Sequence, residues 1–199
     1  MTHLSRRVFV TAAAASLLVS CAEQGGDGAS AARPGGTHAT PHPSAARSGS
    51  VPVRLRIPGI GVDTPVMRLG LAQDGSVQVP PITAHDRAGW YQSSPTPGQT
   101  GPSVILGHVT VGPYGDGVFR RLDRLRRGDE ITVRLENGSS AEFTVTSVRT
   151  VAKAEFPTEA VYGDVDRPEL RLITCGGPRT GDGYPDNVIV FAASHPARR

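Results

Sequence analysis

The sequence predicts an all-β domain, a closed barrel or a sandwich, over residues 51–199. Three observations predict it. Short apolar runs, alternating or continuous, are broken by Gly, Pro, Asp and Asn. Gly 24 and Pro 17 make up about a fifth of the 199 residues, a composition of turns and short strands rather than long helices. Asn137-Gly138 separates two such runs and is a strong hairpin signal.

The elements follow in order. Val53-Arg54-Leu55-Arg56-Ile57 alternates with period two and stops at Pro58-Gly59, as a half-buried strand does. Ser103 to His108 is a continuous apolar run ending in Gly107-His108, the pattern of a strand buried on both faces. Ile131–Leu135 and Ala141–Val145 flank the hairpin turn. Leu170–Cys175 and Val188–Ala192 are two further strands joined by a Gly-rich loop. Phe119, Leu122 and Leu125 stand at i, i+3 and i+6, which predicts about two turns of helix. Five arginines crowd into 120–127; they read as a solvated helix face answered by Asp123, Asp129 and Glu130, with a site for anionic polymers or headgroups as the alternative.

The N-terminus reads as an address. Arg6-Arg7 precedes a mostly apolar or small run from Val8 to Val19, too short to span a bilayer comfortably. Ser5–Val10 resembles a twin-arginine export signal, and Leu18-Val19-Ser20-Cys21 resembles a lipobox. Residues 1–21 are therefore expected to be a lipoprotein signal ending at Cys21, the lipidated residue, with an uncleaved signal anchor as the alternative. The expected location is the outer face of the cell membrane. Residues 22–50, rich in Gly, Ala, Ser, Pro and His, cannot bury enough surface to offset their ordering entropy and read as a linker. His38 and His42 lie there without metal-site spacing.

Charge excludes one class of function. Residues 51–199 hold 17 Lys+Arg against 16 Asp+Glu, so no basic face of the kind nucleic acid requires is expected. No metal-ligand spacing stands out, and no cofactor is expected.

The chemistry centres on sulfur. The chain has two cysteines, so with Cys21 assigned to lipid, Cys175 has no disulfide partner. A lone exported thiol is either buried and inert or reactive. Cys175 closes a strand and opens Gly176-Gly177-Pro178, where the backbone can curl and a substrate can approach. A reactive thiol needs a proton-transfer partner. His108, at the end of an apolar strand, could meet Cys175 at one rim; His85 lies in a loop with no strand behind it, and His195 lies in the tail.

Leu172-Ile173-Thr174-Cys175 is similar to the segment preceding the nucleophile of sortases, and Gly107-His108 resembles that family's histidine segment, in the right order. Ile57-Pro58, Val62-Asp63, Phe119, Leu122–Leu125, Gly128-Asp129 and Asn187–Val190 extend the resemblance across about 51–193. The Cys-Gly-Gly and Asp-Asn-Val strings look closest to the actinobacterial class F branch. The resemblance implies a closed barrel of roughly eight strands with one or two short helices. It implies that Cys175 attacks a carbonyl within a C-terminal sorting motif of a surface protein, forming a thioester that an amine such as a cell-wall precursor resolves. His108 would transfer the protons. The family also uses an arginine on the strand after the cysteine loop. Here Asn187 stands near that position, and the nearest arginine, Arg179, lies on the loop itself; either could serve. Thr174 could offer its hydroxyl to the substrate backbone, and 152–168 could wall the substrate groove. Two rival readings stay open. An L,D-type transpeptidase would want a Ser-His-Gly-Cys string, where this chain has Ile-Thr-Cys-Gly. A ligand-binding surface lipoprotein would bury Cys175.

Overall fold

The structure, a computed structural model, describes residues 49–181 and 183–194. The expected signal, its Cys21, most of the linker with His38 and His42, and His195 lie outside the described residues. Among the described residues ten strands form: β1 (Pro52–Ile57), β2 (Val62–Leu69), β3 (Ala88–Tyr91), β4 (Gly101–Leu106), β5 (Thr110–Val111), β6 (Gly115–Asp116), β7 (Glu130–Leu135), β8 (Ser140–Ala152), β9 (Pro168–Gly176) and β10 (Asp186–Ser194). One α-helix, α1 (Thr158–Tyr162), joins them, with several single 3-10 turns. Eight strands close a barrel in the order β1-β2-β3-β4-β9-β10-β8-β7, and β1 pairs back onto β7. The barrel class read from sequence is therefore the one observed. Closure leaves no exposed sheet edge. β5 and β6 form a separate two-stranded ribbon.

Alternation fills the barrel. Leu55 and Ile57, Ile131 and Val133, Phe143 and Val145, Leu170 and Leu172, and Val188 and Val190 all point into one core. A second core lies outside the wall. Val104, Ile173, Ile189 and Phe191 meet Val161 of α1, with Phe156 and Tyr162 packed alongside. The segment 153–167 thus covers the outer faces of β4, β9 and β10. That cover is why these strands read as continuous apolar runs while β1 and β7 alternate.

One expected element differs. Residues 119–125 hold a single 3-10 turn, Leu122–Arg124, and Leu125 is already extended. Phe119, Leu122 and Leu125 are all buried. Residues three apart eclipse each other in a 3-10 turn, so spacing of three buries one edge there without a helix. The acids also fall elsewhere than expected. Arg120 pairs with Asp116, and the Asp129 carboxylate accepts the Arg126 backbone N–H at 2.7 Å.

Register fixes the two ends of the barrel. Pro52 lies opposite Leu135 and Ser194 opposite Phe143, beside the 136–139 hairpin turn. Leu106, Gly176 and Asp186 lie at the other end, where β9 hands over to β10.

Candidate active site

The end of β9 carries the thiol. Cys175 is free and half-buried, and it pairs across the ladder with Asn187 of β10. On its other flank, β4 runs parallel to β9, with Leu106 opposite Ile173. The Gly107 N–H continues that ladder, donating to the Ile173 carbonyl at 3.2 Å. His108 follows Gly107, two residues past the end of β4. Residues directly paired across a ladder share a face. Cys175 and Asn187 therefore share a face at the rim, with His108 just past the neighbouring strand end.

Two hydrogen bonds hold this alignment. Thr174 is buried, and its Oγ1 donates to the Gly107 carbonyl at 2.8 Å, clipping β9 to the end of β4. That hydrogen bond commits the hydroxyl proton to the protein backbone, while Thr174 also lines the cavity at this end of the barrel. The Phe119 N–H donates to the His108 carbonyl at 2.9 Å, and Phe119 itself is fully buried. Gly107 permits the close approach: a Cβ there would stand 2.6 Å from Phe119 Cδ2 and 2.7 Å from Val118 Cγ1.

The His108 ring is oriented by a partner that no motif announces. Its Nε2 lies 2.6 Å from the Pro80 carbonyl oxygen. A carbonyl can only accept, so Nε2 carries the proton and Nδ1 is left for other chemistry. Pro80 is buried, and the segment around it is fastened to the His108 loop twice more. The Val118 N–H donates to the His85 carbonyl at 2.9 Å, and the His85 ring stacks on Tyr114 with centroids 5.3 Å apart. His85 thus faces Tyr114 rather than the thiol.

A cavity of about 270 Å³ opens at this end of the barrel, lined by Cys175, Thr174, Tyr184, Arg120 and Asp123 among others. His108, Asn187 and Arg179 do not border it. Arg179 is exposed on the loop after Gly177, just before a small turn closed by Thr180 and Gly183. Sequence reasoning missed Arg120 and Tyr184 as site residues, because nothing local distinguishes them from ordinary loop residues. Among the described residues, no group of three or more His, Cys, Asp and Glu side chains is disposed to hold a metal ion.

Comparison with known proteins agrees with this architecture. The Sortase domain family matches residues 55–195. Sortase D of Bacillus subtilis is 31% identical over 121 residues, covering 61% of this chain and 52% of that protein. The chain thus spans about half the length of that relative. Sortase C-1 from Actinomyces oris superposes with a TM-score of 0.58 at 23% identity, over 73% of this chain and 75% of the other. The Clostridium perfringens Sortase D5 transpeptidase gives 0.54 at 23% identity, over 73% and 79%. These two likenesses bear on the fold. The family match, across most of the described residues, shows that the chain belongs to the sortase family.

Proposed function

We propose that this protein is a cysteine transpeptidase that cleaves a C-terminal sorting motif and passes the acyl group to an amine at the cell surface. The observation that carries the reading is the placement of Cys175 at the end of β9, opposite Asn187 of β10 and beside the end of β4 that leads into His108. A half-buried thiol at a strand end, bordering a cavity, suits a nucleophile better than the buried filler of a ligand-binding lipoprotein.

The chemistry runs in two halves. The Cys175 thiol passes its proton to His108 as sulfur bonds to the peptide carbonyl carbon. The tetrahedral intermediate collapses, the C–N bond breaks, and the leaving amine takes the proton from the imidazolium. An incoming amine then attacks the thioester, gives a proton back to His108 and expels the thiolate. Water in place of the amine gives hydrolysis. Nδ1 is the nitrogen for this work, since Nε2–H is committed to Pro80. Asn187 is a neutral hydrogen-bond donor beside the sulfur, and 152–168 forms one wall of the groove. Lipidation at Cys21 would hold the domain outside the membrane, and Cys175-Gly176-Gly177 with Asp186-Asn187-Val188 favours the class F branch.

The test uses the purified chain, a library of candidate motif peptides and a simple amine, with products read by mass. Wild-type protein yields peptide joined to amine, and Cys175→Ala yields none while keeping its fold. Equal product from Cys175→Ala would end the reading.

A further inference from the structure

We infer that the Arg120 guanidinium, and not that of Arg179, is the cation that meets the carbonyl oxygen of a substrate acylating Cys175. The inference rests on the transpeptidase reading and adds a catalytic residue to it. As sulfur bonds to the carbonyl carbon, the oxygen gains negative charge. A donor fixed in advance at that oxygen lowers the barrier more than one that must be recruited.

Among the described residues that line the cavity, Arg120 is the one that carries a cationic side chain. Asp123 lines the same cavity and offsets part of that charge. The backbone of Arg120 is built into the site. Phe119, immediately before it, is fully buried and donates its N–H to the His108 carbonyl at 2.9 Å, and the Arg120 N–H donates to Gly117 at 3.1 Å. Arg120 is therefore held at one remove from His108 itself. Gly117 is needed there, because a Cβ at that position would collide with the His108 carbonyl.

The guanidinium has a resting partner. It hydrogen-bonds Asp116, which pairs with Thr110 in the β5–β6 ribbon. Both side chains of that ion pair are about half exposed, 53% and 54%, and exposed pairs hold only weakly. Asp116 keeps Arg120 at the cavity without trapping it. The planar fork of an arginine has donors to spare, so one edge can stay on Asp116 while another meets an oxyanion. Arg179 does not border the cavity.

The test needs no knowledge of the sorting motif. Cys175 in the folded full chain is alkylated with iodoacetate, which is anionic, and with iodoacetamide, which is neutral. A cation beside the thiol favours the anionic reagent. Arg120→Gln should lower the iodoacetate-to-iodoacetamide rate ratio by roughly 3- to 10-fold. Arg120→Lys should keep most of it, Arg179→Gln all of it, and Asp116→Asn should raise it. An unchanged ratio in Arg120→Gln with native thermal unfolding overturns the inference, as does a fall in Arg179→Gln instead. Should neither reagent label wild-type Cys175, the transpeptidase reading fails and this inference goes with it.

Discussion

The Tyr184 hydroxyl lies 2.7 Å from Thr110 Oγ1, joining the loop that follows Cys175 to the strand that follows His108. The two residues are 74 positions apart in the chain, so the contact is wholly tertiary. It ties together the segments that follow the two candidate catalytic residues. Tyr184→Phe removes the hydroxyl and keeps the ring that lines the cavity. One such hydrogen bond is worth about 1 kcal/mol. The transfer rate should fall roughly 5-fold with only a small change in melting temperature. Steady-state transfer beside a thermal melt checks this; undiminished transfer would show that the two loops keep their places without it.

His108→Gln addresses the proposed proton carrier directly. The glutamine amide can still donate to the Pro80 carbonyl, so the fold around it should persist. It cannot accept and return a proton. Transfer should drop by about 10²- to 10⁴-fold, the usual worth of acid–base catalysis. Alkylation of Cys175 should survive, because the thiol remains. A variant that transfers at wild-type rate would remove His108 from the mechanism.

Thr174 tests whether alignment, rather than any single group, sets the rate. Thr174→Val keeps the shape and removes the donor, leaving the Gly107 carbonyl without its 2.8 Å partner. Leaving a buried acceptor unpaired costs about 1–3 kcal/mol. The variant should melt at lower temperature and lose kcat more than KM, since the clip holds His108 and Cys175 in register. Thr174→Ser should recover both. A loss of stability with kcat intact would make Thr174 purely structural.

These positions also show where the sequence was readable. Local pattern sufficed for β1, β4, the β7–β8 hairpin, β9 and β10, because each run has its own period and its own turn residues. β2 escaped because Pro65 interrupts the run and its burial is irregular. β3 escaped because it is only four residues long, Ala88–Tyr91, and contains Gly89. Cys175 and His108 stood out as the lone thiol and a strand-end imidazole. Pro80, Tyr184 and Arg120 did not, since each acts through a fold-made contact: a backbone carbonyl, a hydrogen bond between distant loops, a cavity wall. Arg171 is the plainest case. Between Leu170 and Leu172 it reads as a solvent-facing strand residue, yet it is only 3% exposed. The cover comes from α1, whose docking no local pattern reports.

Arg171 leads to a pH dependence. Its Nη2 lies 2.7 Å from Glu169 Oε2, its Nε donates to the Ala160 carbonyl of α1 at 3.2 Å, and its guanidinium sits 4.7 Å from the centre of the Phe191 ring. Burial pushes the Glu169 carboxyl up, but hydrogen bonds from Arg167 and Arg171, with their charges, hold it below the ordinary range. A carboxyl depressed in the folded chain favours folding above its unfolded pKa. That contribution is lost as pH falls through the folded value, because the unfolded chain takes up its proton first. Glu169→Gln removes the titration and leaves Arg171 buried without its counter-charge, at a cost of about 3 kcal/mol near neutral pH. In acid, wild-type Glu169 is itself neutral, so the gap in stability between the two proteins should close as pH falls through the carboxylate range. Urea unfolding of both proteins across that range measures the gap. A gap independent of pH would mean that Glu169 serves by its shape and hydrogen bonds, with its charge contributing nothing to how α1 is held over the barrel wall.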